Sequence, residues 1–259
     1  MALMDAVAAP QEELRTDVAL RVSVDPVLFT LRDGALHVLL RLRTWEPFTG
    51  VWALPGAINP AGEQIEETMW RELRSLGFSE DLWVEQLKTF DRPPQTVGGV
   101  VVPGRDPRGR VISVAYFATL PPEASHVEDA PRGDNAAWLP LDNLPPLAFD
   151  HEEIVRYALW RLRNKIQYAP VAFELLPQRF TLTSLQEVYE SVLGTKLDKR
   201  NFRRKVLGDK VVMPTDAVSR TGRRPAKLYQ FNDRQFAYSP RSVRLAGLGS
   251  GDPKGRVAE

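Results

Sequence analysis

The chain has no cysteine and only three histidines among its 259 residues. The lack of cysteine excludes disulfides, thiolate zinc sites and a cysteine nucleophile. His37, His126 and His151 lie too far apart in sequence to indicate a local metal site, so any metal would need carboxylate ligands. No apolar run approaches the ~18 residues of a membrane span, and no basic start precedes an apolar block as in a signal peptide. We therefore expect an intracellular, cytoplasmic chain with no membrane partner.

The two halves of the sequence differ in charge. Residues 1–150 contain 13 Lys and Arg against 22 Asp and Glu, a net charge of −9, and residues 151–259 contain 21 against 11, a net charge of +10. This asymmetry predicts two domains, of which the basic one is a candidate for binding nucleic acid. A merely solvated basic surface is an equally good interpretation of the charge alone.

Hydrophobic patterning predicts strands and helices in both halves. Residues 22–43 read as a hairpin around the turn RDG, and residues 110–120 read as a buried strand. Residues 63–76 have an apolar stripe with helical spacing, formed by Ile65, Met69, Leu73 and Leu76, and Gly77 ends it. A proline-rich segment at residues 139–151 precedes a second helical pattern at residues 152–166, which we interpret as a connecting helix.

Residues 54–78, LPGAINPAGEQIEETMWRELRSLGF, resemble the Nudix box, written G-x(5)-E-x(7)-R-E-U-x-E-E-x-G-U with U apolar. Its skeleton is supplied by Gly56, Glu63, Arg71, Glu72, Leu73, Gly77 and Phe78. The loop from Gly56 to Glu63 has one residue more than the pattern. The segment after REL is one residue short, and Ser75 and Leu76 stand where two glutamates are expected.

The resemblance implies that the missing glutamate pair would hold the magnesium ions of a hydrolase. Mg²⁺ requires several oxygen ligands in near-octahedral geometry, and only Glu72 remains on this turn. Glu63, Glu66 and Glu67 lie one to two turns earlier, where a solvated helix start favours carboxylates, and we prefer that interpretation for them. We predict that the chain is not an enzyme and has no catalytic residue, no metal site and no cofactor.

A degenerate box on an intact fold predicts binding without hydrolysis. The loop before the helix offers backbone N–H groups to phosphates, and arginines are available for charge-assisted contacts. These arginines are Arg41, Arg43, Arg71, Arg92, Arg105, Arg108 and Arg110. Our candidate effector-binding residues are Arg43, Trp45, Gly56, Arg71, Glu72, Arg108 and Arg110. Arg71 could instead form an ion pair within the helix, and Trp45 could pack in the core.

The basic half has the element order of a winged helix. Residues 180–194 predict a helix with Thr183 as its N-cap, and Asp198 caps a second helix whose Phe202, Val206 and Leu207 face inward. Residues 210–214 and 226–232 read as strands joined by a basic loop. The predicted DNA-binding residues are Thr183, Ser184, Lys199, Arg200, Asn201, Arg203, Arg204, Lys205, Arg223, Arg224 and Lys227.

Two other interpretations of this half compete with DNA binding. A lone basic helix is most often a solvated face, although the cap, the register and the basic loop together favour DNA. An RNA-binding protein would more often place aromatic residues on the basic face, and the exposed side of residues 199–205 has none.

The segments LPQRFTLTSLQEVYE, LDKRNFRRKVL and GRRPAKLYQFN, together with the degenerate box, resemble the Nudix-related transcription regulators of the NrtR family from about residue 17 to 232. The resemblance implies an α/β fold with an N-terminal Nudix-type α/β/α sandwich containing a mixed sheet, and a C-terminal winged helix-turn-helix. The expected boundaries are a mobile start at 1–15, a Nudix-like effector-binding domain at 16–150, a connecting helix at 151–170, a DNA-binding domain at 171–240 and a mobile tail at 241–259.

The family also implies a function and its partners. Its members are dimeric repressors, typically of genes for NAD biosynthesis, that bind a palindromic duplex operator and a nucleotide such as ADP-ribose or NAD, and relatives control sugar-utilisation genes. We therefore expect a homodimer with these two partners. The alternative is an active Nudix ADP-ribose pyrophosphatase with an accessory basic domain.

Overall fold

The computed structural model describes residues 19–97, 100–102, 104–125, 135–220 and 225–232. The predicted mobile ends and the wing residues Arg223 and Arg224 lie outside these ranges. The strands are β1 Arg21–Arg32, β2 Ala35–Leu42, β3 Trp52–Ala53, β4 Ala57–Ile58, β5 Val84–Phe90, β6 Gln95–Val97, β7 Val100–Val102, β8 Val111–Thr119, β9 Ala136–Pro140, β10 Val212–Ser219 and β11 Ala226–Phe231. The α-helices are α1 Ile65–Ser75, α2 His151–Lys165, α3 Leu182–Leu193 and α4 Lys199–Gly208.

A mixed sheet forms the centre of the N-terminal half. β1 pairs antiparallel with β2. On its other side β1 pairs parallel with β8, and Arg21 lies opposite Val111 in this pair. β5 pairs antiparallel with β8. β3 and β9 pair with β2, and β4 pairs with β1. The predicted hairpin at residues 22–43 is confirmed as β1 and β2, and Asp33 and Gly34 make its turn with positive φ angles of 50° and 75°.

Alternation along β1 sends its buried side chains to two opposite layers. Val24 and Leu28 pack in one cluster with Leu73 of α1, whereas Val27 and Phe29 belong to a second cluster that includes α2. Each fully buried side chain of this size contributes about 1.5–3 kcal/mol relative to its exposed state. The sheet therefore lies between α1 and α2, which is the predicted α/β/α sandwich.

Helix α1 follows the predicted apolar stripe. Met69, Leu73 and Leu76 are buried against the sheet. The backbone N–H of Gln64 donates to Glu67 Oε2 at 2.8 Å, which satisfies one group at the start of the helix. Gly77 has a φ of +89°, which a residue with a side chain rarely adopts, so the helix ends there as predicted.

The cap of α3 differs from the prediction. Thr181 is the N-cap, since its hydroxyl accepts a 3.0 Å hydrogen bond from the Ser184 N–H, and Thr183 lies inside the first turn. Both threonines precede the apolar pattern, so sequence spacing alone could not decide between them. The prediction for α4 is confirmed, because Asp198 accepts from the Asn201 N–H at 2.8 Å.

Two further details of the winged helix were predicted incorrectly. Leu207 is 43% exposed, because one residue beyond the inward Val206 the helix has turned by about 100°. Strand β10 does not end at Pro214 but continues to Ser219, which pairs with Ala226 of β11. The hairpin β10–β11 is therefore longer than expected.

Helix α2 joins the two halves through one continuous core. Ile154 and Ala158 belong to the same buried cluster as Phe29 of the sheet and Leu185 of α3. Polar contacts add to this junction: Ser191 Oγ donates to the Gly34 carbonyl oxygen at 2.6 Å. Arg163 Nε of α2 donates to the carbonyl oxygen of Val192 in α3 at 2.8 Å.

No helix within the described residues is long and apolar enough to cross a membrane.

Candidate effector cavity and DNA-binding surface

A cavity of about 350 Å³ opens where β1, β2 and β4 meet α1 and the start of α2; we call it the effector cavity. It is lined by Ser23, Asp25, Arg41, Arg43, Trp45, Leu54, Gly56, Ala57, Ile58, Glu72, Arg105, Asp106, Arg108, Val111, Phe149 and His151. Five of the seven predicted effector-binding residues are among them, namely Arg43, Trp45, Gly56, Glu72 and Arg108. The structure therefore brings these five residues together around one cavity, although Arg43 and Arg108 lie 65 positions apart in the sequence.

The other two predicted residues lie outside this lining. Arg71 donates from Nε and Nη2 to the two carboxylate oxygens of Glu63, each at 3.0 Å, on the exposed side of α1. Arg110 forms a two-pronged ion pair with Asp91. Both guanidinium groups are thus committed to carboxylates away from the effector cavity.

Arg43 is held between two aromatic rings. Its guanidinium carbon lies 5.1 Å from the Trp45 ring centroid and 4.8 Å from that of Phe149. Its Nε donates to the Pro47 carbonyl oxygen at 2.7 Å. Burial, and then the charge of Arg108, lower the pKa of Arg43 from its ordinary value, although an arginine remains charged. Within the described part of the chain it forms no ion pair with a carboxylate.

The other arginines of the cavity are neutralised in place. Arg108 Nη2 donates to Asp106 Oδ2 at 2.7 Å, and Arg41 Nη1 donates to Glu72 Oε1 at 2.9 Å. Since paired groups carry little net charge outward, Arg43 is the guanidinium best placed to attract an anion. Trp45, at 50% exposure, offers a ring face beside it.

A buried polar network supports the cavity wall. Arg105, whose side chain is 4% exposed, donates to both carboxylate oxygens of Asp150 at 3.0 and 2.8 Å and lies 3.5 Å from Asp25. Burial alone would lower the pKa of Arg105, but the hydrogen bonds and charges of Asp150 and Asp25 raise it above its ordinary value. Asp25 also accepts from Ser23 Oγ at 2.9 Å and from the Ser113 hydroxyl.

His151 completes this wall as a neutral imidazole. Its Nδ1 accepts a hydrogen bond from the Leu54 N–H at 2.8 Å, so the ring proton is on Nε2. Burial is the main cause that lowers the pKa of His151, which keeps the ring uncharged near neutral pH. Asp25, Asp150 and His151 were not among the predicted effector-binding residues, because isolated polar residues in strands and at a helix start carry no local signal.

Gly56 is required by close packing. A Cβ atom at this position would lie 2.3 Å from Asp25 Oδ1 and 2.8 Å from the Val24 carbonyl oxygen. Any side chain here would therefore displace the cavity wall.

The carboxylates near α1 do not fit the magnesium site that the Nudix resemblance implies. Glu63 is paired with Arg71 and also accepts from Thr68 Oγ1 at 3.0 Å, and Glu67 binds the start of its own helix. Glu72 is paired with Arg41. No group of three or more histidine, aspartate or glutamate residues in the described ranges is placed to hold a metal ion.

Helix α4 presents a basic outer face, the candidate DNA-binding surface. Lys199, Arg200, Asn201 and Arg204 are exposed, whereas Phe202 and Val206 are buried. Arg203 and Lys205 are half-buried, and Lys227 is exposed on β11. Thr183 and Ser184 lie in the first turn of α3.

Two side-chain contacts organise this surface. Arg203 Nη2 donates to Thr183 Oγ1 at 3.2 Å, which links α4 to the start of α3. Arg204 Nη2 donates to Asn201 Oδ1 at 2.9 Å. The arrangement leaves a helix whose polar groups face outward, as needed to enter a major groove.

The sandwich, the effector cavity and the basic winged helix together define a Nudix-related DNA-binding regulator. Residues 172–231 match the NrtR DNA-binding winged helix domain. Over 223 residues the chain is 34% identical to the ADPR responsive transcriptional repressor NtrR of Acinetobacter baylyi, covering 84% of each protein. The chain belongs to the NrtR family.

Two other relatives bear on structure and activity. The crystal structure of Shewanella oneidensis NrtR complexed with a 27mer DNA is similar with a TM-score of 0.70 and 32% identity, covering 86% of this chain and 98% of that one. An ADP-ribose pyrophosphatase of Methanocaldococcus jannaschii is 35% identical over 135 residues, which is 50% of this chain and 72% of that enzyme. Similarity to the regulators thus extends over both halves, whereas similarity to the enzyme covers half of the chain.

Proposed function

We propose that the protein is a transcriptional repressor that binds operator DNA through α4 and the β10–β11 hairpin and senses ADP-ribose or a related nucleotide in the effector cavity. The observation that carries this proposal is that the same chain has both an exposed basic helix, α4, and a cavity arginine, Arg43, that forms no ion pair among the described residues. We further propose a cytoplasmic homodimer, a palindromic operator and control of NAD metabolism, as the family resemblance implies.

The chemistry of the cavity suits a nucleotide. Arg43 supplies a charge for a phosphoryl group, and Trp45 supplies a half-exposed ring that can stack on a base. The volume of the effector cavity, about 350 Å³, lies at the lower end of the range of roughly 300–1,000 Å³ that is typical of ligand sites. A sugar phosphate would bind to the charge of Arg43 but would have no base to stack on Trp45.

We propose that the Nudix half does not hydrolyse its ligand. The support is the commitment of Glu63, Glu67 and Glu72 to partners within the protein. The second candidate function, an ADP-ribose pyrophosphatase, is favoured by the likeness to the archaeal enzyme. An assay with ADP-ribose and Mg²⁺ or Mn²⁺ separates the two, and turnover on the order of 1 per second or faster would establish the enzyme.

Helix α2 provides a physical link between ligand and DNA. It begins at His151 in the cavity wall, and its last turns contact α3 through Leu162 and Arg163. A ligand changes DNA affinity only if it binds the two arrangements of the protein differently. We propose that ligand shifts α2 and thereby the spacing of the two winged helices in a dimer.

The experiment begins by mapping the protein on its own genome, which supplies the operator duplex. ADP-ribose, NAD and sugar phosphates are then titrated into the labelled protein–operator complex. We expect one ligand to change operator affinity by roughly 5–150-fold, and the operator must change the affinity for that ligand by the same factor. Arg43→Ala should abolish the response while leaving operator affinity without ligand unchanged. Equal ligand affinity with and without operator would contradict the coupling.

A further inference from the structure

We infer that Glu190 of α3 is a positioning residue for α4: it fixes the turn between the two helices, so that α4 can discriminate the operator from other DNA. The inference rests on the proposed function, because it takes α4 as the helix that meets base edges. Glu190 is not among the predicted DNA-binding residues, and it acts through the backbone of the turn.

The side chain of Glu190 holds the far end of the turn. α3 ends at Leu193 and α4 begins at Lys199. Glu190 Oε1 accepts a hydrogen bond from the backbone N–H of Leu197 at 3.0 Å. Leu197 is buried, and Asp198, which caps α4, directly follows it. The carboxylate therefore ties the end of one helix to the start of the next.

The backbone of Glu190 holds the near end of the turn. Its carbonyl oxygen accepts hydrogen bonds from the N–H groups of Gly194 at 2.9 Å and Thr195 at 3.3 Å. Gly194 has a φ of +68°, a left-handed conformation that ends α3. Residues 194–198 lie between the two helices, and Glu190 thus accepts from three of their backbone N–H groups.

A second side chain of α3 braces the same contact. Gln186 lies one helical turn before Glu190, and its Nε2 donates to Glu190 Oε1 at 2.8 Å and to the Leu197 carbonyl oxygen at 2.9 Å. Both backbone polar groups of Leu197 are thereby held by α3. The other carboxylate oxygen of Glu190 accepts from Lys196 Nζ at 2.8 Å, although the Lys196 side chain is 91% exposed.

Glu190 is ionised in this network. The hydrogen bond from Lys196, followed by those from Leu197 and Gln186, lowers the pKa of Glu190 to about 2, although partial removal from water opposes this shift. An ionised acceptor makes stronger hydrogen bonds than a neutral one. The restraint on the turn is therefore at full strength near neutral pH.

Reading of bases depends on the turn more than attraction to phosphates does. A side chain of α4 reaches a base edge only when donor and acceptor meet within hydrogen-bond distance. Attraction to phosphates comes from charge and counterion release, and it tolerates a change in the angle of the helix. Loosening the turn should therefore lower operator affinity without lowering affinity for unrelated DNA. Removing the negative charge of Glu190 would, by itself, favour binding to all DNA.

Anisotropy titrations with the mapped operator duplex and with a scrambled duplex of equal length and composition test the inference. Glu190→Met keeps the length of the side chain and removes its acceptor oxygens, so it should weaken operator binding by roughly 10-fold. Its affinity for the scrambled duplex should be equal to that of the wild type or slightly higher. Glu190→Gln removes the same charge but keeps an oxygen for the Leu197 N–H, so it should discriminate between the duplexes nearly as well as the wild type.

Lys196→Met is the matched control, since it removes the exposed partner of Glu190 and leaves the contacts with the turn. It should lower both affinities by the same factor, because one positive charge is lost.

Three outcomes would overturn the inference while leaving the proposed function intact. Glu190→Met could discriminate as well as the wild type, or it could lose affinity equally for both duplexes, which is the pattern of a purely structural residue. Equal operator losses in Glu190→Met and Glu190→Gln would assign the effect to the charge and not to the acceptor. A wild type that does not distinguish the two duplexes would overturn the proposed function itself.

Discussion

Arginine has different roles in the effector cavity and on helix α4. In the cavity Arg41, Arg105 and Arg108 each face a carboxylate at ion-pair distance. On α4, Arg200 and Arg204 are exposed, and in the described part of the chain neither forms an ion pair. A charge removed from water needs partners: Arg105 has two aspartates, and the buried Arg43 has a carbonyl oxygen and two aromatic rings. A charge that remains in water can be left for an incoming phosphate.

The contrast explains why a cavity rich in arginine can be selective. When three of its guanidinium groups are neutralised internally, a ligand meets the field of Arg43 and the ordered polar wall around it. The exposed charges of Arg200 and Arg204 on α4, in contrast, attract any duplex and release its counterions. Specificity on that surface has to come from contacts with base edges.

The largest expected effect comes from breaking a buried pair. Arg105→Leu leaves Asp25 and Asp150 buried without their shared cation, which should lower the free energy of unfolding by roughly 3–5 kcal/mol. Urea unfolding followed by circular dichroism measures this. Adding Asp150→Asn should recover part of the loss, because one of the two stranded charges is removed.

Arg110→Gln is the matched control for Arg105→Leu. It also breaks a two-pronged pair with an aspartate, but the pair is much more exposed, with 24% of the Arg110 side chain and 40% of the Asp91 side chain accessible, so its urea midpoint should be close to that of the wild type. If Arg105→Leu also left the urea midpoint unchanged, burial would not be what distinguishes the cavity arginines from the more exposed Arg110.

An intermediate effect is expected on α4. Arg204→Ala removes an exposed charge next to Asn201, and it should weaken operator binding by roughly 1–3 kcal/mol if the group reads a base edge. The same variant should unfold like the wild type. Arg203→Ala should weaken operator binding by a similar amount. Its guanidinium donates to Thr183, so the substitution disturbs two residues of the predicted DNA-binding surface.

Salt dependence and a distant arginine provide the controls for Arg204. Arg74 is 52% exposed on α1 in the other half of the molecule, so Arg74→Ala should leave operator affinity unchanged. Arg223→Ala or Arg224→Ala, in the loop predicted from sequence to form the wing, should weaken binding to all DNA sequences more evenly and reduce its dependence on salt. An Arg204→Ala protein with wild-type operator affinity would show that another face of α4 meets the DNA.

Much of the fold could be predicted from sequence because its signals are local. The β1–β2 hairpin, helix α1 and the Asp198 cap each follow from spacing and cap chemistry within a few residues. The N-cap of α3 was predicted at Thr183 instead of Thr181, and Leu207 was predicted to face inward, because at both places two local solutions differ by only one or two positions. The tertiary fold then decides between them.

The cavity could be predicted only in part, for a physical reason. Arg43, Trp45 and Gly56 lie near the recognisable box, whereas Arg105 meets Asp25 and Asp150 only after β1, β8 and α2 have assembled. The pairing of Arg41 with Glu72 likewise depends on the approach of β2 to α1. No periodicity within either segment specifies such a contact.

Arg71→Ala should change the protein least, because Arg71 lies outside the lining of the effector cavity. Arg71 matches the arginine of the Nudix box, yet it pairs with Glu63 on an exposed face, and that hydrogen bond lowers the pKa of Glu63. Because water screens an exposed pair, Arg71→Ala should change neither the urea midpoint nor ADP-ribose affinity measurably. Calorimetric titration of this variant beside Arg43→Ala makes the test, since both remove a guanidinium but only Arg43 lines the cavity. Equal losses in the two variants would mean that Arg71 leaves Glu63 when ligand binds, and that the effector site extends onto α1.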